Sequence, residues 1–190
     1  MIYWVTGQAC SGKTTLVKTI LNDYIKPINK YEIYKPIKKI SCVRFENLLL
    51  VGSNYLTNRV RDQGIDSSGG SLDELELLIK QEYSKCDILL ETFRPKYFNI
   101  DFILKLKKMY DLKIFYLQTD KEILDERGRT RNHIWDRERT ENKKYIQMKK
   151  IESVIENDEV KMCVAKLQNN NENDLSTNVK LILGNLSWEY

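Results

Sequence analysis

Eight consecutive residues near the start of the chain, Gly7-Gln8-Ala9-Cys10-Ser11-Gly12-Lys13-Thr14, follow the spacing G-x-x-x-x-G-K-[ST]. They stand between an apolar run, Ile2 to Thr6, and a segment carrying Leu16, Ile20 and Leu21 at helical spacing. That context is what the chemistry needs. A strand delivers the loop, the loop curls so that successive backbone N–H groups face inward, and the following helix adds the positive end of its dipole. Residues without a bulky Cβ at positions 7 and 12 permit the curl. Such a nest binds the phosphates of a nucleoside triphosphate, and Gly7, Ser11, Gly12, Lys13, Thr14 and Thr15 are the residues that would line it. Lys13 is expected to reach the β- and γ-phosphates, and Thr14 to place its hydroxyl on Mg²⁺.

Three further groups fit phosphoryl chemistry. Glu91 closes the apolar run Asp87-Ile88-Leu89-Leu90-Glu91-Thr92, which places it at the carboxyl end of a strand, where open α/β sheets hold their ligands. It is a candidate for the Mg²⁺-side carboxylate or for the general base that takes a hydroxyl proton. The run Glu126-Arg127-Gly128-Arg129-Thr130-Arg131, with Arg137 and Arg139 beyond it, reads as a lid over about 126–142. Arginines on a closing segment stabilise charge spread over the transferring oxygens, with Arg127 and Arg131 the catalytic candidates. The same interleaving of Arg with Asp136, Glu138 and Glu141 also suits a solvated helix laced with ion pairs. The polar stretch from Gly52 to Gly70 is too long for a turn and should cover the acceptor side. Tyr55 is available there to stack on a base, Asp66 to bind or activate an acceptor hydroxyl, and Arg59, Arg61 and, further on, Arg94 to hold the substrate.

The elements that position these groups alternate. After the first strand and its helix, which Pro27 should end, Lys39 to Val43 and Leu48 to Gly52 read as a hairpin or two short strands. Ser71-Leu72-Asp73-Glu74 is a capping box opening a helix to about Lys85, with Leu72, Leu75, Leu78 and Ile79 on its apolar face. The strand from Asp87 follows, then a helical face of Phe102, Ile103, Leu106 and Tyr110, then the strand Leu112 to Leu117. A second capping box is expected at Thr119-Asp120-Lys121-Glu122. Charged helix fills Glu122 to Lys150, Val160 to Leu167 makes a last strand, Gln168 to Asp174 an Asn-rich loop, and Leu175, Val179, Ile182 and Leu183 a closing helix that stops at Gly184. The expected fold is α/β: a three-layer sandwich with a mainly parallel sheet, helices on both faces and an arginine-bearing lid, built as one domain over 1–190.

Composition narrows the function classes. The 190 residues carry 31 Lys plus Arg and 27 Asp plus Glu, a net charge of +4, which excludes a strongly basic packaging protein and an acidic tail. With 42% hydrophobic and 31% charged residues the chain lies in the globular range. The 4 cysteines have no Cys-x-x-Cys spacing and the single histidine has no cysteine near it, so neither a zinc site nor a disulfide framework is expected. No leader or membrane span is read, and the expected setting is a reducing cytoplasm.

On these motifs the chain resembles the small P-loop kinases of the nucleoside and nucleotide kinase group, from Met1 to about Ile155. The loop Gly7 to Thr14 carries the resemblance, with Leu90-Glu91-Thr92-Phe93-Arg94 and with Leu117-Gln118-Thr119-Asp120 followed by Arg127 and Arg131. More narrowly, Leu50-Val51-Gly52-Ser53-Asn54-Tyr55, then Gly64-Ile65-Asp66 or Gly69-Gly70-Ser71-Leu72-Asp73, is similar to phage-encoded kinases that phosphorylate 5-hydroxymethyluracil bases in DNA. The resemblance implies ATP as donor, Mg²⁺ as cofactor, a hydroxyl acceptor on a nucleobase or nucleoside, and no covalent enzyme intermediate. A free nucleoside or nucleotide, or a polynucleotide 5′-hydroxyl, are the other acceptors it allows. A regulatory GTPase would need a base-reading Asn-Lys-x-Asp late in the chain, whereas Asn29-Lys30-Tyr31-Glu32 comes early and lacks the aspartate. A non-catalytic nucleic-acid-binding module on the same fold would bind nucleic acid without turnover.

Overall fold

The computed structural model describes residues 1–27, 30–52, 55, 69–92, 94–130 and 137–186, with backbone alone over 137–144. Seven strands form one sheet: β1 (Ile2–Gly7), β2 (Glu32–Ile37), β3 (Ile40–Arg44), β4 (Leu48–Val51), β5 (Asp87–Glu91), β6 (Leu112–Gln118) and β7 (Val164–Gln168), in the spatial order β2-β3-β4-β5-β1-β6-β7. The five strands from β4 to β7 in that order are parallel, and β2 and β3 extend the sheet antiparallel at one edge. The expected α/β sheet, mainly parallel, is therefore the observed one. β1 is central and every one of its residues is buried, as a strand covered on both faces must be.

The α-helices among the described residues are α1 (Lys13–Thr19), α2 (Leu72–Glu82), α3 (Ile100–Met109), α4 (Lys121–Thr130), α5 (Arg137–Ile155) and α6 (Glu172–Leu183), of which all but α4 pack the faces of the sheet. The pleat of β1 sorts the core. Ile2 and Trp4 point to the face packed by Leu75, Leu78 and Ile79 of α2, Phe102, Ile103 and Leu106 of α3, and Ile151, Val154 and Ile155 of α5. Tyr3 and Val5 point to the other face, against Leu16 and Val17 of α1 and Val179, Ile182 and Leu183 of α6.

Several local expectations are met and several are displaced. Ser71 caps α2 as a full box, with Glu74 N–H donating to Ser71 Oγ at 3.1 Å and Ser71 N–H donating to Glu74 Oε2 at 2.6 Å. The second box does not form. α4 begins at Lys121, one residue too late for Thr119 to cap it, and the Thr119 hydroxyl instead lies 3.3 Å from Ser11 O and 3.2 Å from Asn169 O. The first helix ends just before Pro27 as expected, with Lys26 as its C-cap, but Ile20–Ile25 is wound as a π-helix, with Lys26 N–H reaching Leu21 O at 2.8 Å. The segment from Val160 opens with a 3-10 turn, Lys161–Cys163, before β7 starts. The Asn-rich loop is shorter than expected because Asn171 already caps α6, accepting from Asp174 N–H at 2.9 Å. The one strand not expected is β2. It carries Pro36 and exposed charge, and it survives as the outer strand of the sheet, the position where a proline costs least.

Burial sets the alkaline limit of stability. The Cys42 thiol, wholly inside, is pushed from 9.0 up to about 12, chiefly by loss of solvent. Burial likewise raises the Tyr116 and Tyr3 hydroxyls from 10.0 to about 12, with Glu152 adding to the first and Asp87 to the second. These acids stay neutral in the fold while the unfolded chain ionises, so their contribution is complete below the unfolded values and disappears as pH climbs toward the folded ones. Melting followed between pH 7 and 11 is expected to hold level to about pH 9 and then fall; a melting temperature that rises above pH 9 would contradict this burial.

Candidate functional site

The site is assembled at the carboxyl edge of the parallel strands. Val5 pairs with Glu91 and Gly7 with Leu117, so the loop after β1, the end of β5 and the end of β6 are brought to one line. After β1 the chain passes through α1 to β2 at one edge of the sheet, and after β6 it passes to β7 at the other, so the loops leaving the neighbouring strands β1 and β6 diverge.

The loop between β1 and α1 is wound as the glycine spacing predicts. Gly7 has φ 146° and Gly12 φ 89°, and Cys10 between them also takes the left-handed region at φ 68°. A Cβ on Gly7 would stand 2.6 Å from Leu117 O, and one on Gly12 would stand 2.3 Å from Asn169 Nδ2. Both positions are therefore closed to larger residues by backbone angle and by space together. Ser11 is fully buried, Lys13 is 5% exposed, Thr14 is half-buried and Thr15 is exposed on the first turn of α1. Lys13 Nζ donates to Gln8 O at 2.6 Å and to Gly7 O at 3.0 Å, with Ser11 Oγ at 3.4 Å. The ammonium is thus held inside the curl by carbonyl oxygens of the loop it serves.

Glu91 ends β5, on the side of β1 away from β6, and is 5% exposed. Thr14 Oγ1 donates to its Oε1 at 2.7 Å, and the Tyr55 hydroxyl donates to its Oε2. Because Thr14 gives its proton to the carboxylate, its lone pairs remain for a cation. Tyr55 was expected to offer its ring to a base. The structure encloses that ring at 2% exposure, within the core cluster on the α1 and α6 face, and turns its hydroxyl to Glu91. A ring so enclosed has little face to offer for stacking.

Arg127, on α4, is half-buried and spans two carbonyls, donating to Asn169 O at 2.9 Å and Asn170 O at 3.0 Å. Arg94 lies just beyond β5, half-buried, its N–H on Thr92 Oγ1 at 3.0 Å. Asp66, Arg59, Arg61 and Arg131 lie outside the described residues, and the lid expected over 126–142 is described only as the end of α4 and the start of α5.

The residues that sequence reasoning missed follow β7. Asn169, 3% exposed, donates from Nδ2 to Ser11 O at 2.6 Å, so the loop after the last strand touches the loop after the first. Asn170 Nδ2 donates to Asp120 Oδ2 at 2.8 Å and its Oδ1 accepts Asp120 N–H at 2.9 Å, tying the same segment to the end of β6. The signal available in sequence was three successive asparagines, Asn169 to Asn171, at the carboxyl end of a predicted strand.

A nucleoside triphosphate with Mg²⁺ fits this donor set. The left-handed, glycine-bearing curl suits a chain of phosphates, and the hydroxyl and carboxylate oxygens of Thr14 and Glu91 are hard ligands of the kind Mg²⁺ takes in ones and twos beside phosphate. Among the described residues no group of three or more His, Cys, Asp or Glu is placed to hold a metal ion by itself.

No protein-family model matches the chain, and no curated protein matches it. Among solved structures, a gluconokinase from Sinorhizobium meliloti 1021 is similar at 10% identity and a TM-score of 0.46, covering 97% of this chain and 94% of its own. An uncharacterized protein from Eubacterium ventriosum ATCC 27560 is similar at 13% identity and a TM-score of 0.43, covering 97% of each chain. No helix among the described residues is long and apolar enough to cross a membrane.

Proposed function

We propose that the protein is an ATP-dependent kinase, one catalytic domain that moves the γ-phosphoryl group to an acceptor hydroxyl by direct in-line transfer. The observation that carries this reading is the Lys13–loop–Thr14–Glu91 arrangement, in which a buried ammonium, a curled loop and a hydroxyl–carboxylate pair meet at the carboxyl edge of β1 and β5. MgATP, when bound, supplies the phosphoryl group and the cation that shields its oxygens. Lys13 exchanges its carbonyl partners for phosphate oxygens and stabilises the charge that develops on them. Thr14 keeps its proton on Glu91 and turns lone pairs to the cation. Glu91 orients Thr14 from the metal side, a role its two hydroxyl donors favour over that of a free base.

For the acceptor we propose a hydroxyl carried by nucleic acid, with 5-hydroxymethyluracil in DNA the first choice. Charge supports it. Lys26, Lys30, Lys35, Lys38 and Lys39 against Glu32 give 5 − 1 = +4 over residues 26–39, equal to the net charge of the whole chain. Among the described residues none of these five lysines forms an ion pair. Of the five, Lys38 and Lys39 lie in the turn from β2 to β3 beside the carboxyl end of β4, the same edge of the sheet as the glycine loop, whereas Lys26 and Lys30 precede β2 toward the opposite edge; the two-lysine turn suits a polyanion.

The test is transfer of γ-labelled phosphate from ATP with Mg²⁺ to DNA containing 5-hydroxymethyluracil, to DNA with 5′-hydroxyl ends, and to free nucleosides and nucleotides. Label at internal positions of the modified DNA alone supports the proposal. Label on free acceptors or on strand ends moves the protein to a small-molecule or end kinase, and no transfer to any of them overturns the kinase reading for this acceptor class.

A further inference from the structure

We infer that Asn169 is a positioning residue of the phosphate loop, locking the Ser11–Gly12 peptide so that the Gly12 N–H is presented to a phosphate. The inference rests on the nucleotide-binding reading above and adds to it a residue 158 positions from Ser11 in sequence. A trans peptide directs its N–H opposite to its C=O. Asn169 Nδ2 holds Ser11 O at 2.6 Å from the β7 side, and the Thr119 hydroxyl lies 3.3 Å from the same oxygen. With that carbonyl anchored, the Gly12 N–H is turned away from Asn169 and into the curl. Gly12 itself sits at φ 89°, a glycine conformation from which a peptide flips readily unless something holds it.

The amide has to face one way for this to work, and its surroundings make it do so. Asn178 of α6, 4% exposed, donates from Nδ2 to Gln168 O at 2.7 Å and lies 3.5 Å from Asn169 Oδ1, so the oxygen of Asn169 faces a donor and its nitrogen faces Ser11. The backbone of Asn169 is fixed as well: its N–H donates to Gln118 O at 2.8 Å, and its carbonyl accepts from Arg127 at 2.9 Å and lies 3.2 Å from the Thr119 hydroxyl. The closeness of the Asn169 amide to Gly12, which leaves no room for a Cβ, shows that the contact is packed from both sides. Asn169 so placed acts on phosphate through the loop and does not read the nucleobase.

Calorimetric binding of Mg²⁺-ATP, Mg²⁺-GTP and the base-free probe Mg²⁺-tripolyphosphate to wild type, Asn169→Ala and Asn169→Asp separates the roles, with melting recorded for each protein. The expected result is a loss of about tenfold to a hundredfold, equal for ATP and tripolyphosphate, with the ATP-to-GTP ratio unchanged. The aspartate has the shape of asparagine without the donor, and repeating its titration in raised salt screens the negative charge it adds, so it carries the test where the alanine variant does not fold. Unchanged tripolyphosphate affinity, or a change confined to the ATP-to-GTP ratio, overturns the inference and leaves the nucleotide reading intact. Wild type that binds neither ATP nor tripolyphosphate overturns both.

Discussion

Lys13→Met is expected to lower phosphoryl transfer by about a hundredfold to a thousandfold while leaving the melting temperature within a few degrees of wild type. Methionine keeps the length of the stem through the buried channel and removes only the ammonium. In the protein at rest that ammonium is bound by Gly7 O and Gln8 O, carbonyls of a loop whose winding is also set by Gly7, Gly12 and the Asn169 contact. The fold therefore has other supports, whereas the developing charge on the transferring oxygens has no second lysine of the loop to meet it. Steady-state transfer measured beside a thermal melt checks both halves. Activity within threefold of wild type would remove Lys13 from the chemistry, and unfolding at room temperature would make it a structural ion.

Glu91→Gln is the second large effect, and its form matters more than its size. Glutamine keeps the shape and still accepts from one hydroxyl, but it loses the charge that holds Thr14 and would balance a cation. If Glu91 works from the metal side, the variant is expected to need about 10- to 100-fold more Mg²⁺ for half-maximal activity and to recover much of its rate when Mg²⁺ is raised. If Glu91 were instead the base that takes the acceptor proton, kcat would fall by about 10²–10⁴ at every Mg²⁺ concentration. A Mg²⁺ titration of the transfer rate distinguishes the two. No recovery at saturating Mg²⁺ would return Glu91 to the base role and leave the metal side to Thr14.

What could be read from sequence was what is contiguous. The glycine loop carries its glycines, lysine and threonine in one stretch, and the strand and helix beside it announce themselves by periodicity, so its winding and its setting between β1 and α1 were legible. Glu91 was legible for a related reason: an apolar strand ending in a carboxylate has only one edge at which to place it. β2 was not, because Pro36 and its charges lower strand propensity, and what stabilises it is pairing with β3 together with Ile37 in the core and Tyr34 reaching Glu82 of α2. The second capping box failed because a threonine can cap its own helix or bind a distant carbonyl, and Thr119 does the latter. The role of Asn169 depends on β7 lying beside β6 with Gln118 opposite Gln168, a register no local pattern announces. Whether the Tyr55 ring would be open for a base or enclosed with its hydroxyl on Glu91 depends on packing against residues far along the chain.

The pairing of the central strand also bears on how the protein is made. β1 has as its only sheet neighbours β5 and β6, through partners such as Ile2 with Ile88 and Ile2 with Leu112. At roughly 5–20 residues per second of synthesis, the apolar stretch Ile2 to Gly7 waits several seconds or more for a partner to emerge from the ribosome. During that interval the unpaired apolar strand is an exposed adhesive segment of the nascent chain. The Thr14–Glu91 pair, which needs β1 beside β5, consequently forms after β3 and β4 have already closed their own local hairpin.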